Sequence, residues 1–494
     1  KYEVEYNGLF HYPSFRPVPG YEVSVDHSQF KVSAPLDLGI RFKANYLDSL
    51  PSVEKDDNQI NYTWNFDHLE LIKEEILSPP EEEILPIVYL AANQFEYDGY
   101  AGSMDSWNTF GQWLYDLLPH ESFLSTQEKQ TIHTIAASNN STEDKIRALY
   151  EYLQSKTRYV SVQLGIGGYQ PMAADKVSEL GYGDCKALSN YMRVILEEAG
   201  IPSFYTIIGG GRNHSSFTFT DFPNGFQANH VILSVPLSTD TVFLECTSQK
   251  NPYGYLGSFT GNRNALMVSE QGGQLIKTTS YDLDDYLIKR REHLILNPDG
   301  SLEGNAKTLY HGVAFENVEG KQDESKEDAR MEFLKKIDVP GFNLKSINYQ
   351  YTQAPVPEMT EEVFFNIDQY AQSSNDRVFF KPNLFSRWTF QLPKDDHRTQ
   401  PVVINQPIYQ VDSLVIDLPN EYMSEALIEP VDLHSDFGVF KVETILKDNQ
   451  LHLVRQLEIY RNRYAQDSYQ DLRDFFKKIW KADKASVVLI KKKT

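Results

Sequence analysis

The sequence predicts an α+β protein in which a helix-containing middle section lies between two mainly-β sections. Three observations predict it. At 494 residues the chain exceeds one ordinary hydrophobic core, so several domains are expected. Aromatic residues reach 13%, with 30 Tyr and 28 Phe, and such rings suit a pleated, half-buried surface. Helical spacing of apolar residues is concentrated between about residues 86 and 275, while the flanks alternate or carry turn signals. With 41% apolar and 23% charged residues the chain is globular and not disordered.

Residues 1–85 read as the first β domain. Val23, Val25 and Phe30-Lys31-Val32-Ser33 alternate, Tyr62-Thr63-Trp64-Asn65-Phe66 is an aromatic run, and Pro79-Pro80 punctuates the chain. The chain opens on Lys1 without Met, so a processed or trimmed product is expected, with this domain short of its start. Residues 86–275 form the mixed core. Apolar residues at 107, 110, 113, 114, 117 and 118 predict a helix from Trp107 to Leu118. Ser141 is placed to cap a second helix, whose stripe is Ile146, Leu149, Tyr150 and Leu153. Residues 276–494 return to β structure. Asn297-Pro298-Asp299-Gly300 predicts a hairpin turn, because Pro presets φ and Gly accepts φ > 0. Helices are predicted from Glu327 to Ile337 and from Tyr469 to Trp480, and a last strand at Val487-Val488-Leu489-Ile490.

A net charge of −22 repels phosphate backbones, so nucleic acid is excluded as an expected partner. No apolar run is long enough to span a membrane. Two cysteines, Cys185 and Cys246, do not make a disulfide framework. No metal or other cofactor is expected, since His214 has no spaced partner and no Asp-rich calcium loop occurs. Gly209-Gly210-Gly211-Arg212 lacks the Gly-Lys-Ser/Thr ending of a phosphate loop and reads as a flexible loop near a cleft.

The chemistry centres on Cys185. Gly181-Tyr182-Gly183-Asp184 is a turn, and Lys186–Ala199 carries the stripe Leu188, Met192, Ile195, Leu196 and Ala199 before Gly200-Ile201-Pro202 stops the helix. Cys185 therefore sits at a helix start, where the dipole and unpaired N–H groups stabilise a thiolate and can hold an oxyanion. Phe226–Val235 is predicted as a strand with His230, Ile232 and Ser234 on one face. Val242–Cys246 is predicted as the next strand, close enough for an antiparallel hairpin that brings Glu245 toward His230. A thiol at a helix start, an imidazole on one strand and a carboxylate on the next is the layout of a Cys-His-acid triad. Gln163 and Tyr182 are candidate oxyanion donors, and Cys246 faces away as a core thiol.

Tyr182-Gly183-Asp184-Cys185-Lys186, Asn229-His230-Val231 and Leu244-Glu245-Cys246-Thr247 resemble the three signature blocks of the transglutaminase-like superfamily. Tyr159–Pro171 and Asn251–Leu256 resemble a bacterial subgroup that sets this core between two β domains of unknown function. The resemblance implies a papain-like core, with the Cys helix packed on an antiparallel sheet. It implies acyl transfer through a thioester, with Cys185 attacking a carboxamide or peptide carbonyl, His230 moving the proton and Glu245 orienting the ring. A protein or peptide substrate and an extracytoplasmic setting follow from the same resemblance. The third block usually carries Asp where this chain has Glu245. Asp240, in the predicted turn, is the fallback for the orienting group; Asn229 is of a type that orients such a ring but, adjacent to His230, is expected on the opposite face of the strand. A scaffold that keeps the fold without catalysis and a cysteine peptidase are the alternative readings.

Overall fold

In the computed structural model, residues 3–493 are described except 7, 9, 46–49, 122, 163, 212–216, 218, 354 and 355. The protein is a mixed α/β chain whose sheets are mostly antiparallel. It divides into two compact units, residues 1–74 with 80–280, and residues 75–79 with 281–494.

The first unit opens with strands β1 (Val25–Pro35), β2 (Ile40–Asn45), β3 (Ser52–Lys55), β4 (Gln59–Leu69) and β5 (Ile87–Ala92). β4 lies between β1 and β3, and β2 pairs with β5. The alternation read in the sequence has a packing cause: Ile60, Trp64 and Phe66 of β4 share a buried cluster with Val88 and Leu90 of β5. Strands β6 (Gln94–Tyr97) and β7 (Tyr100–Ser103) form a hairpin ahead of helices α1 (Trp107–Asp116), α2 (Thr126–Ala137) and α3 (Thr142–Lys156). Ser141 caps α3 as its position predicts, accepting from the Asp144 N–H at 3.0 Å.

The core continues through β8 (Arg158–Tyr159), α4 (Ala174–Leu180), β9 (Tyr182–Gly183), α5 (Cys185–Glu198), β10 (Phe204–Ile208), β11 (His230–Pro236), β12 (Thr241–Leu244), α6 (Gly257–Thr260), β13 (Asn264–Ser269) and β14 (Gly272–Lys277). The last five strands make one antiparallel sheet in the order β12-β11-β10-β13-β14. The predicted stripe of α5 is its buried face: Leu188, Met192, Ile195 and Leu196 cluster with Leu233 and Val235 of β11. Each such fully buried aliphatic side chain contributes ~1.5–3 kcal/mol.

Two strand ends differ from the sequence expectation. β11 begins at His230 and not at Phe226, because the Gln227 amide bonds the backbone of Phe219 and the Asn229 amide bonds that of Gly210. β12 ends at Leu244, because the carbonyl of Glu245 leaves the ladder to accept from the Tyr150 hydroxyl at 2.8 Å.

The second unit contains β15 (Leu287–Leu296), β16 (Leu302–His311), α7 (Lys326–Lys336), β17 (Phe342–Thr352), β18 (Glu358–Ile367), β19 (Gln372–Ser374), β20 (Arg377–Phe380), β21 (Val402–Ile404), β22 (Ile408–Asp417), β23 (Tyr422–Ala426), β24 (Val431–Ser435), β25 (Gly438–Lys447), β26 (Gln450–Ile459), β27 (Asn462–Tyr464), α8 (Tyr469–Asp483) and β28 (Val487–Lys491). An eight-stranded sheet runs β17-β18-β16-β15-β22-β26-β25-β24, and a four-stranded sheet runs β19-β20-β28-β23. Gly300, at φ 85°, closes the β15–β16 hairpin through its N–H to Asn297 O at 3.0 Å. Leu472, Phe475, Phe476 and Ile479 of α8 are buried in the apolar core of this unit. Glu75–Pro79 also belongs here. The Glu75 carboxylate accepts from the Thr399 N–H at 2.8 Å and hydroxyl at 2.9 Å and from the Gln400 N–H at 2.9 Å. The carbonyl of Leu77 accepts from Val403 N–H at 2.7 Å.

Candidate active site

Three elements of the first unit converge on Cys185. Gly181, at φ 68°, ends α4 in the left-handed region that favours glycine, and turns the chain into β9. β9 pairs in parallel with β8, where the Arg158 N–H and, just after the strand, the Val160 N–H donate to Gly181 O at 3.0 Å and Gly183 O at 2.9 Å. Asp184 then caps α5, its Oδ1 accepting from the Ala187 N–H at 2.9 Å. Cys185 is the first residue of the helix and is buried.

Asp184 has a second task. Its other carboxylate oxygen is ion-paired with Lys186, and both side chains are buried at 4% and 5% exposure. The Lys186 ammonium lies 3.4 Å from the carbonyl of Val162. The buried pair therefore flanks the thiol on both sides in sequence and ties the helix start to the segment before the Gly165–Gly168 turn.

β11 delivers His230 and the end of β12 delivers Glu245. Leu233 pairs with Leu244, so Glu245 lies one step past the ladder, a diagonal neighbour of His230 on the same face. The ring Nε2–H donates to both Glu245 oxygens at 3.1 and 3.0 Å. Cys185 is near enough to the ring to be among the groups that raise its pKa. Exposure is 9% for the His230 side chain and 4% for that of Glu245. Glu245 is fixed in turn. The Thr247 N–H and hydroxyl donate to its Oε1, and the Tyr150 hydroxyl of α3 holds its backbone carbonyl. The Ser189 hydroxyl of α5 donates to Val231 O at 3.2 Å, joining the Cys helix to the His strand.

The electrostatics follow from this geometry. Burial works against an imidazolium, but the Glu245 charge, the nearby Cys185 and the hydrogen bond to Glu245 outweigh it and push the His230 pKa up to about 10. Burial likewise works against a Glu245 carboxylate, and the facing imidazole with the Thr247 donors outweighs it, holding the carboxyl below its usual range. Tyr205 is buried beside Cys185 and Asp184, and burial with their charge raises its phenol.

The other residues singled out in the sequence divide clearly. Asp240 is in the β11–β12 turn, where its Oδ1 accepts from Thr241 N–H and its carbonyl from Leu237 N–H. Asn229 turns its amide to Gly210 and away from the imidazole. Neither faces His230. Tyr182 lies under the Arg158 guanidinium, 6.0 Å from its ring centre. Gln163 lies outside the described residues, as does His214. Cys246 is a free, buried thiol in the core with α3 and α5, and burial raises its pKa. Among the described residues, no three His, Cys, Asp or Glu side chains converge as a metal centre. No helix among them is long and apolar enough to cross a membrane.

The sequence reading missed the supports. Tyr150 was visible only as part of an apolar stripe, Thr247 only as a neighbour of a signature block, and Lys186 only as a helix residue. Arg263, in the turn Gly261-Asn262-Arg263, carries no periodic or motif signal at all.

The chain resembles solved structures in fold. One, from Parabacteroides distasonis and described as a candidate protease, superposes with a TM-score of 0.57 at 12% identity, covering 97% of this chain and 75% of that one. A candidate cysteine protease from Cytophaga hutchinsonii matches at 10% identity and TM-score 0.21, over 55% of this chain and 88% of its own. The periplasmic domain of TgpA from Pseudomonas aeruginosa matches at 13% and 0.20, over 48% and 76%. At these identities the likeness is one of fold, and the first structure carries it. Residues 376–489 match the family described as a Domain of Unknown Function with solved structure, DUF3858, which here runs from β20 to β28. No curated protein matches the sequence.

Proposed function

We propose that this chain is a transglutaminase-like cysteine acyltransferase or amide hydrolase acting on peptide or protein carboxamides. The observation that carries the reading is the imidazole of His230, bonded through Nε2 to a fixed carboxylate and close enough to Cys185, at the start of α5, for the thiol to help raise its pKa. A thiol paired with an oriented base is what nucleophilic catalysis requires.

In the proposed reaction His230 takes the thiol proton and Cys185 sulfur attacks the carboxamide carbon. The helix geometry leaves the N–H groups of Cys185 and Lys186 without intrahelical partners, which suits them to the developing oxyanion. Gln163 and Tyr182 are further candidate donors. His230 returns its proton to the leaving amine as the C–N bond breaks, leaving an acyl thioester on Cys185. An amine or water then attacks the thioester, gives a proton to His230, and releases the acyl product with the thiol restored. Glu245 holds the ring in the orientation that serves both transfers. The outer β regions are proposed as separate domains around this core. An extracytoplasmic bacterial setting, with cell-envelope proteins among the substrates, fits the sequence resemblance.

The test uses the full chain. Iodoacetamide at near-neutral pH is expected to label one thiol stoichiometrically, and Cys185→Ala to abolish that label, since Cys246 lies in the apolar core where burial raises its pKa and keeps it a neutral thiol. An unreactive Cys185 in folded protein overturns the proposal. Incubation with Gln-containing peptide libraries and a primary amine, read by mass spectrometry, then sorts the chemistry. Amine exchange marks a transferase, deamidation a hydrolase of side-chain amides, and backbone cleavage a peptidase.

A further inference from the structure

The Gly209–Gly211 segment, which the sequence leaves as a flexible loop, is tied down on every side. The Arg263 guanidinium donates to four backbone carbonyls: Gly209 at 2.7 Å, Gly211 at 2.9 Å, Ser258 at 2.8 Å and Gly261 at 3.2 Å. The first two lie on the extension of β10, and the other two lie within and just after α6. Gly211 N–H donates to Phe259 O at 2.9 Å, joining the same two segments. The Asn229 amide clasps Gly210 from the far side, accepting from its N–H at 2.6 Å and donating to its carbonyl at 3.2 Å.

His230 is wedged between these two segments. The Phe259 ring meets the imidazole edge-on at 5.0 Å. A Cβ at Gly210 would stand 3.0 Å from His230 Cβ, 3.2 Å from its Cγ and 2.8 Å from the Phe259 ring. The absence of a side chain at 210 is therefore what lets the imidazole occupy its place. A guanidinium suits the task because its planar fork presents five donors, enough to bind carbonyls on two separate segments at once.

We propose that Arg263 is a positioning residue for His230, acting through the Gly209–Gly211 and 258–261 segments that hold the imidazole between the thiol and Glu245. The proposal rests on the reading of His230 as the base for Cys185. It gives the glycine run a defined role as one wall of the imidazole site.

The test measures the rate of Cys185 alkylation by iodoacetamide from pH 5 to 10 in wild type, Arg263→Gln, Arg263→Lys and Gly210→Ala, alongside melting temperature. Arg263→Gln is expected to slow alkylation at neutral pH by roughly 10–100-fold, the scale set by misplacing a reacting group by an ångström. Its pH profile is expected to become that of an ordinary thiol. Arg263→Lys, with three donors in place of five, falls between. Gly210→Ala leaves Arg263 intact and is expected to reproduce the changed profile by displacing the ring directly. A purely structural Arg263 would lower the melting temperature and leave the profile of the folded fraction as in wild type, which overturns the proposal. If Arg263→Gln does not fold, a wild-type profile in Gly210→Ala overturns it instead. Failure of the underlying reading looks different: wild-type Cys185 would itself react as an ordinary thiol, indifferent to His230→Gln, and the proposal would fall with it.

Discussion

Arg455 in the second unit is fully buried and directs its guanidinium to Asp483, through Nε and Nη2 at 2.9 Å each, and to Asp412 at 3.2 Å. His230 in the first unit gives one ring nitrogen to Glu245 and lies near enough to the Cys185 thiol for that group to help raise its pKa. Both are buried cationic groups beside carboxylates. The Arg455 network extends through Asp412 to the Ser386 hydroxyl and from there to Arg290, so each donor meets an acceptor that has no other chemistry to do. The His230 site ends on a sulfur that can lose a proton and form a bond. A saturated ionic network fixes a structure, whereas one that ends on a thiol suits the reaction proposed above.

The comparison can be broken first at the open end. Cys185→Ala is expected to remove labelling and to lower any acyl-transfer activity by at least ~10³-fold, measured by peptide turnover. His230→Gln should cost a similar factor, because the thiol loses its base. Glu245→Gln is expected to cost roughly 10²–10⁴-fold, with the melting curve little changed. Its pH dependence has a definite sign. The Glu245 charge is the largest influence lifting the imidazole from 6.5 to about 10, ahead of Cys185, so without it the high-pH limb of the alkylation profile moves down. A limb that stays in place would show that Glu245 does not govern the ring.

The closed network answers differently. Arg455→Met leaves Asp483 buried without its cation and Asp412 with Arg290 alone, and should destabilise the fold by ~3–5 kcal/mol in calorimetry. The alkylation profile of Cys185 should be unchanged below the melting transition. The smallest expected effect is at Glu292, the unfinished corner of the same unit. Its Oε2 has no hydrogen-bond partner among the described residues, and burial pushes its carboxyl up to about 8 despite the nearby Arg290. The folded state therefore keeps a proton that the unfolded state loses near 4.5, and this group's contribution to stability falls as pH rises from 4.5 through 8. Glu292→Gln should raise the melting temperature at pH 8 by roughly 2–8 °C and leave it nearly unchanged at pH 4.5. Equal shifts at both pH values would remove the titration from the explanation.

What the sequence made legible was local. The α5 start was readable because Gly, Asp and an apolar stripe of period 3.6 act within one turn of Cys185. Glu245 was readable because the β11–β12 connection is short and strand alternation is strict. The α8 stripe and the Asn297–Gly300 turn were readable for the same reason. The supports were not, because they join segments far apart in the chain. Tyr150 reaches Glu245 across 95 residues and Arg263 reaches Gly209 across 54. Arg455, Asp412 and Asp483 carry no local sequence signal that marks them as buried. Only the sheet order, with β22 inserted parallel beside β15 and antiparallel beside β26, brings them inside.

Glu75–Pro79 gives the molecule a timetable. These residues leave the ribosome about 320 residues before Thr399 and Gln400 are made, a delay of roughly 15–65 s at ordinary elongation rates. Through that interval the Glu75 carboxylate lacks the three donors that will bind it and the Leu77 carbonyl lacks Val403. Residues 80–280 emerge and can fold while the earlier segment waits. The second unit is thus the last to be completed, and a gene fragment starting at residue 281 would encode a unit with its first piece missing.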